Sequence, residues 1–369
     1  MDAISLLMDR LRALRERLNM ADAAVGAAPA FAAAIANSRD RLDDAIRDAR
    51  ASEGAWHSLA VWEKADATLF REVLAYLQAM GGPALPDSGA GPLARGLVAE
   101  LSAKLPLGVP PVIAPDVDDS FSDFVEIIRL RYPPAGIWDV PVVAHEFGHF
   151  AAYRLTSWED GLQRSQAVRE FISEQLASKG VKSESDQEKW RFWLNELFAD
   201  AFATYCVGPC YAASALLLRF DVAQACNGDQ STHPSCAARA AAILEILREM
   251  NRGEQAPYTT AINALEAQWL DLLGFAEKGN CKGEWVPEMA YQLYDVVRKV
   301  ARGAQYDNWS YADRTLQYVL TDPAKNPEGR FSACDVLNAA WLARAGGGDP
   351  VTISARALQL WQERVAGGD

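Results

Sequence analysis

The 369-residue sequence predicts a mainly α chain with a small β-sheet, an α+β class. Apolar residues recur at three- and four-residue spacing through most of the chain, one short β-rich run interrupts them, and no regular strand–helix alternation follows. The balance of 50% hydrophobic and 23% charged residues is that of a packed globular protein. Lys and Arg number 36 against 49 Asp and Glu, a formal net charge of −13. So acidic a chain lacks the clustered positive charge that grips a phosphate backbone, which excludes nucleic acid as its main partner.

The elements follow in order. Ile4, Leu7, Leu11, Leu14 and Leu18 form one apolar helical stripe, with Arg10, Arg12, Arg15, Glu16 and Arg17 on the other faces. This helix either packs on its own domain or makes a short coiled coil for self-association. Its apolar run is broken at Asp9 and Arg10, unlike that of a secretory signal. Phe31, Ile35, Leu42 and Ile46 continue the pattern, as do Trp56, Leu59, Trp62, Phe70, Val73, Leu74 and Leu77. Residues 1–80 therefore read as an N-terminal helical region. The Gly- and Pro-dense stretch 81–92 reads as a linker, because neither helix nor strand survives that composition.

Leu93 to Lys104 reads as a helix, Pro106 to Pro115 as a proline-punctuated loop, and Phe124 to Arg131 as the strand. Helices are then predicted around Pro141–Leu155, Gln166–Ser178, Asp186–Cys206, Pro209–Phe220, Cys236–Met250 and Thr260–Phe275. Four more follow at Pro287–Arg302, Tyr311–Leu320, Ser332–Ala345 and Thr352–Val365. Residues 93–280 form the expected core and 281–369 a C-terminal helical region. No stretch reaches the roughly 18 uncharged apolar residues of a membrane span. Six sparse cysteines with no C-x-x-C pair are expected to be free thiols, so the chain reads as a soluble cytoplasmic protein.

One segment carries chemistry. Val142 to Tyr153 contains His145-Glu146-x-x-His149 on a strongly apolar helix. Residues four apart share a helix face, so both imidazoles can reach one Zn²⁺, while Glu146 lies beside them as a general base. With about 1% His and about 6–7% Glu, a chance match in the chain has a likelihood of roughly 0.3%. A catalytic zinc takes three protein ligands and keeps one position open. Neither His57 nor His233 completes a third-histidine pattern. Glu196 is the better candidate, in Trp193-Leu194-Asn195-Glu196-Leu197-Phe198-Ala199-Asp200. Asp200, four residues on, shares its face and can accept the second ring N–H of a ligand histidine.

His145-Glu146-x-x-His149 followed by Glu196-x-x-Ala199-Asp200 resembles the gluzincin metallopeptidases, over about Phe124 to Tyr211. The resemblance implies a zincin-like core with His145, His149 and Glu196 as zinc ligands, Glu146 as general base and Asp200 behind a ligand histidine. It implies hydrolysis of peptide bonds in peptide or protein substrates, and an edge strand, here Phe124–Arg131, that pairs with substrate backbone. The oxyanion donor stays open among His233, Tyr205 and Tyr211. Two other readings stand beside this one: a regulatory or binding protein with a structural zinc site, and a zinc hydrolase of a non-peptide amide.

Overall fold

The computed structural model describes scattered residues between 8 and 47, then 90–105, 111–116, 120–122, 127–131, 136–154, 167–226, 233–275 without 254, and 286–366 without 323, 324, 326 and 328. Most of the N-terminal region and of the 81–92 linker, with His57 and Cys281, lie outside these residues. Of the N-terminal stripe, Leu11 is described and buried, while Arg12, Arg15 and Glu16 are exposed.

Helix makes up 79% of the described residues, and this overturns the expected α+β class: mainly α is what the structure supports. The reason is that apolar area is buried by helix against helix. Ten helices of the described region carry the argument: α1 (Gly91–Lys104), α2 (Val143–Arg154), α3 (Ala167–Ser178), α4 (Glu184–Val207), α5 (Pro209–Ser214), α6 (Cys236–Met250), α7 (Thr259–Phe275), α8 (Val286–Val300), α9 (Ala333–Ala345) and α10 (Pro350–Ala366). Short helical turns from Trp309 to Thr321 link α8 to α9.

Among the described residues, strands are three short segments, β1 (Val112–Asp116), β2 (Ser120–Ser122) and β3 (Ile127–Arg131). They pair in the order β1-β3-β2, with β3 parallel to β1 and antiparallel to β2. The expectation that Phe124–Arg131 offers an edge to substrate backbone is therefore corrected. Its described part, β3, is central: it pairs with β1 along its whole length on one side and with β2 over Ile127–Arg129 on the other.

α2 and α4 form the heart of the core, with α6 and α8 packed on α4. Phe147 and Phe150 of α2 meet edge to face at 5.5 Å, and Phe147 stacks on Phe202 of α4 at 6.0 Å. Each such ring, fully buried, contributes about 1.5–3 kcal/mol. α4 is fully buried along most of its length from Leu194 onward, and its first ten residues are exposed or half-buried, with Trp190 packed against the core. The helix is capped by Ser183, whose side chain accepts from the Asp186 N–H. It stops at Gly208, whose φ of +78° suits glycine, and Pro209 then starts α5. Asn338 of α9 repairs this buried break, accepting from the Cys210 N–H at 3.0 Å and donating to the Val207 carbonyl at 2.8 Å.

Cys206, Cys210, Cys236 and Cys334 are free, as expected, but Cys226 is disulfide-bonded, which corrects the all-thiol reading. Among the described residues, no helix is long and apolar enough to cross a membrane.

Gly148 sets the distance between α2 and α4. A Cβ there would lie 2.9 Å from the Ala199 Cα and 3.2 Å from its carbonyl oxygen, both backbone atoms that cannot swing aside. Gly148→Ala should therefore force the two helices apart and cost about 1–3 kcal/mol of stability, as overpacking does. Thermal unfolding followed by far-UV circular dichroism measures this; an unchanged midpoint would remove the crossing from the list of tight constraints.

Candidate metal centre

α2 starts directly after a tight turn, Ile137–Val142, and carries His145, Glu146 and His149 within its first two turns. Ala144, Phe147, Phe150 and Ala151 around them are buried, so the polar residues sit inside the protein, His145 and Glu146 each 6% exposed. Buried polar groups need partners, and the neighbouring helices supply them.

His145 Nε2 and His149 Nε2 lie 3.2 Å apart. From α4, Glu196 brings Oε2 to 3.4 Å from His145 Nε2 and Oε1 to 3.4 Å from His149 Nε2. Ligand atoms set tetrahedrally at about 2.0–2.1 Å around a zinc ion are about 3.3–3.4 Å from one another; each contact here is near that length, with the two histidines meeting different oxygens of Glu196. Among the described residues, this trio is the cluster of His, Cys, Asp and Glu able to hold a metal ion. The three residues singled out in the sequence as ligands are thus brought together.

Asp200 is completely buried behind His145, with Oδ1 at 3.0 Å from Nδ1. An Nδ1–H donated to this carboxylate leaves the Nε2 lone pair facing the cluster, the tautomer a metal ligand requires. Tyr211, considered in the sequence only as an oxyanion donor, and Arg239, which the sequence did not single out, complete the arrangement. The Tyr211 hydroxyl donates to Asp200 Oδ1 at 2.5 Å and lies 3.2 Å from His145 Nδ1. Arg239 of α6 donates to Asp200 through Nε and Nη2, both at 2.8 Å. Behind His149, the Asn195 carboxamide lies 3.0 Å from Nδ1. The atom at that distance is Asn195 Nδ2; with His149 Nε2 on a cation, Nδ1–H needs an acceptor, which the carboxamide provides once flipped to exchange Nδ2 for Oδ1.

Burial alone would raise the pKa of Glu196, but hydrogen bonds from His145 and His149 and the charge of Arg239 hold it well below the usual carboxylate range. Asp200 is likewise opposed by burial, and Arg239 brings it down to about 2. Burial works against a charged His145, yet its hydrogen bonds to Asp200 and Glu196 prevail and raise it to about 10.

Of the three candidates for an oxyanion donor, two lie elsewhere. Tyr205 faces Tyr294 at 6.0 Å, and the Tyr211 hydroxyl is occupied on the Nδ1 side of His145. His233 does reach the cluster: its half-exposed ring puts Nε2 3.6 Å from Glu196 Oε1. No local motif marked Tyr211 or Arg239 in the sequence, since Arg239 is 39 residues from Asp200. Asn195 sits beside Glu196 and could have been found from its place on the helix.

No protein-family model, curated protein or solved structure matches the chain.

A proton on His145 competes with a cation for the same side chain. The raised pKa means that this proton is held below pH of about 10, so metal affinity should rise with pH by about tenfold per unit over that range. Titration calorimetry in buffers of different ionisation enthalpy should find about one proton released per ion bound near neutrality. Uptake with no proton released would contradict the reading of His145.

Proposed function

We propose that this chain is a zinc-dependent metallopeptidase that hydrolyses peptide bonds. The single observation that carries the proposal is the convergence of His145, His149 and Glu196, whose ligand atoms lie within 4.8 Å of one another, with a buried Glu146 next to His145. Three protein ligands, the number among the described residues, suit a catalytic zinc; structural sites use four. That difference favours an enzyme over a binding protein with a structural zinc.

Zinc, when bound, supplies Lewis-acid polarisation of a carbonyl and a lowered pKa for water. The chain's own residues do the rest. A Glu146 carboxylate oxygen takes a proton from the attacking water as the water oxygen bonds to the scissile carbonyl carbon. The same oxygen then gives that proton to the leaving nitrogen as the C–N bond breaks. In this reading His233, whose Nε2 lies 3.6 Å from Glu196 Oε1, donates a hydrogen bond to the oxygen of the tetrahedral carbon. Asp200, Tyr211 and Asn195 orient the two ligand imidazoles.

Glu146→Gln keeps shape and metal but cannot take a proton. Turnover of a casein substrate should fall by about 10²–10⁴-fold, with zinc content unchanged by elemental analysis. Digestion by the variant at the native rate would remove Glu146 as the base. In Glu196→Ala a ligand is lost, and purified protein should retain little zinc; a full complement would take Glu196 out of the ligand set.

A further inference from the structure

Arg239 plays no direct part in the chemistry above, yet it touches both carboxylates of the cluster. Its Nε and Nη2 form a fork on Asp200, each bond 2.8 Å long. The remaining nitrogen, Nη1, lies 3.5 Å from Glu196 Oε2. Its plane sits over the Phe220 ring, 5.1 Å from the centroid, which holds the group from the other side. We infer that Arg239 is a positioning residue that couples the third ligand to the first: one guanidinium fixes Asp200 against His145 and restrains one oxygen of Glu196, leaving the other for the cation.

The two oxygens of Glu196 have different surroundings. Oε2 faces Arg239 Nη1 and His145 Nε2, whereas Oε1 faces His149 Nε2 and His233 Nε2. A carboxylate free on both sides can turn both oxygens onto one cation and fill the position that hydrolysis needs open. A positive charge at Oε2 opposes that rotation. Because the guanidinium is planar and rigid, the fork on Asp200 also fixes where Nη1 points. Lysine offers a charge but no such fork, so it cannot hold both carboxylates in one geometry.

This inference rests on the metal reading of the site, and the test separates the two. Full-length wild type, Arg239→Gln and Arg239→Lys are titrated with zinc against a chromogenic chelator, and their cobalt-loaded forms are compared by visible absorption. Folding and metal-free melting are followed by circular dichroism. The Gln variant should fold and bind zinc about 10–100-fold more weakly, as loss of a partner behind a ligand typically does. Its cobalt spectrum should weaken as Glu196 turns and the coordination number rises. The Lys variant should recover part of the affinity and not the native spectrum.

A Gln variant within about twofold of wild-type affinity and with the native spectrum would overturn the inference. So would a Lys variant that restores both in full, since charge alone would then suffice. If Arg239 merely supports the fold, the metal-free melting temperature falls while affinity and spectrum of the folded protein stay native, which also overturns it. Should the Gln variant not fold, the Lys variant decides by the same titration: native affinity and spectrum overturn the inference, and a loss of both supports it. Wild type that binds no zinc refutes the metal reading itself, before any variant is measured.

Discussion

The close crossing of α2 and α4 is the constraint on which the candidate centre depends. Gly148 lies between the two motif histidines in sequence, Ala199 lies between Glu196 and Asp200, and these two residues meet where the helices cross. The contact point is thus made of the smallest residues, while longer polar side chains reach around it from both helices. Packed helices ordinarily stand 8–10 Å apart at their axes, by an amount set by the side chains at the contact. Removing those side chains lets a two-turn set of histidines meet a carboxylate from the neighbouring helix. A single geometric quantity therefore sets the spacing of all three candidate ligands.

The centre is a charged island in an apolar interior, and its energetics follow from that. Taking Asp200 and Arg239 out of water costs several kcal/mol per ion, which only close pairing and full hydrogen bonding offset. Asp200 has that pairing, with donors from His145, Tyr211 and Arg239. Such a network stabilises the fold little by net sum, because its gains repay desolvation. Its physical effect is on orientation: each partner removes a rotational freedom of a side chain facing the cluster. The stability that tolerates this cost comes from the aromatic packing of Phe147, Phe150, Phe198 and Phe202 just beside it.

Chain path does the remaining work. The break at Gly208-Pro209 ends α4 and turns α5 back, so Tyr211 returns to Asp200 only eleven residues later. Without a break, a continuous helix would carry residue 211 about 16 Å along the axis from residue 200. Asn338 makes the break tolerable by bonding the backbone groups it would otherwise leave bare. The segment before α6 then delivers His233 to Glu196, and α6 itself delivers Arg239. Elements far apart in the chain share one small volume.

What the amino-acid order settles by itself is local. Four-residue spacing puts His145 with His149, and Glu196 with Asp200, on common helix faces, because a helix repeats every 3.6 residues whatever surrounds it. From Gly91 onward, helix periodicity and the Gly208-Pro209 stop were legible too, and among the described residues the structure agrees with them closely. The tertiary structure alone decided the contacts between distant segments. It overturned the α+β class because burial falls to helix pairs, and it placed β3 between two partners, a matter of pairing that no single run of residues encodes. It separated His233 from Tyr205 and Tyr211, and it drew in Arg239. Periodicity reports which way a side chain leaves its own helix; which neighbour it meets depends on how helices cross, and that is set by the packing of the whole core.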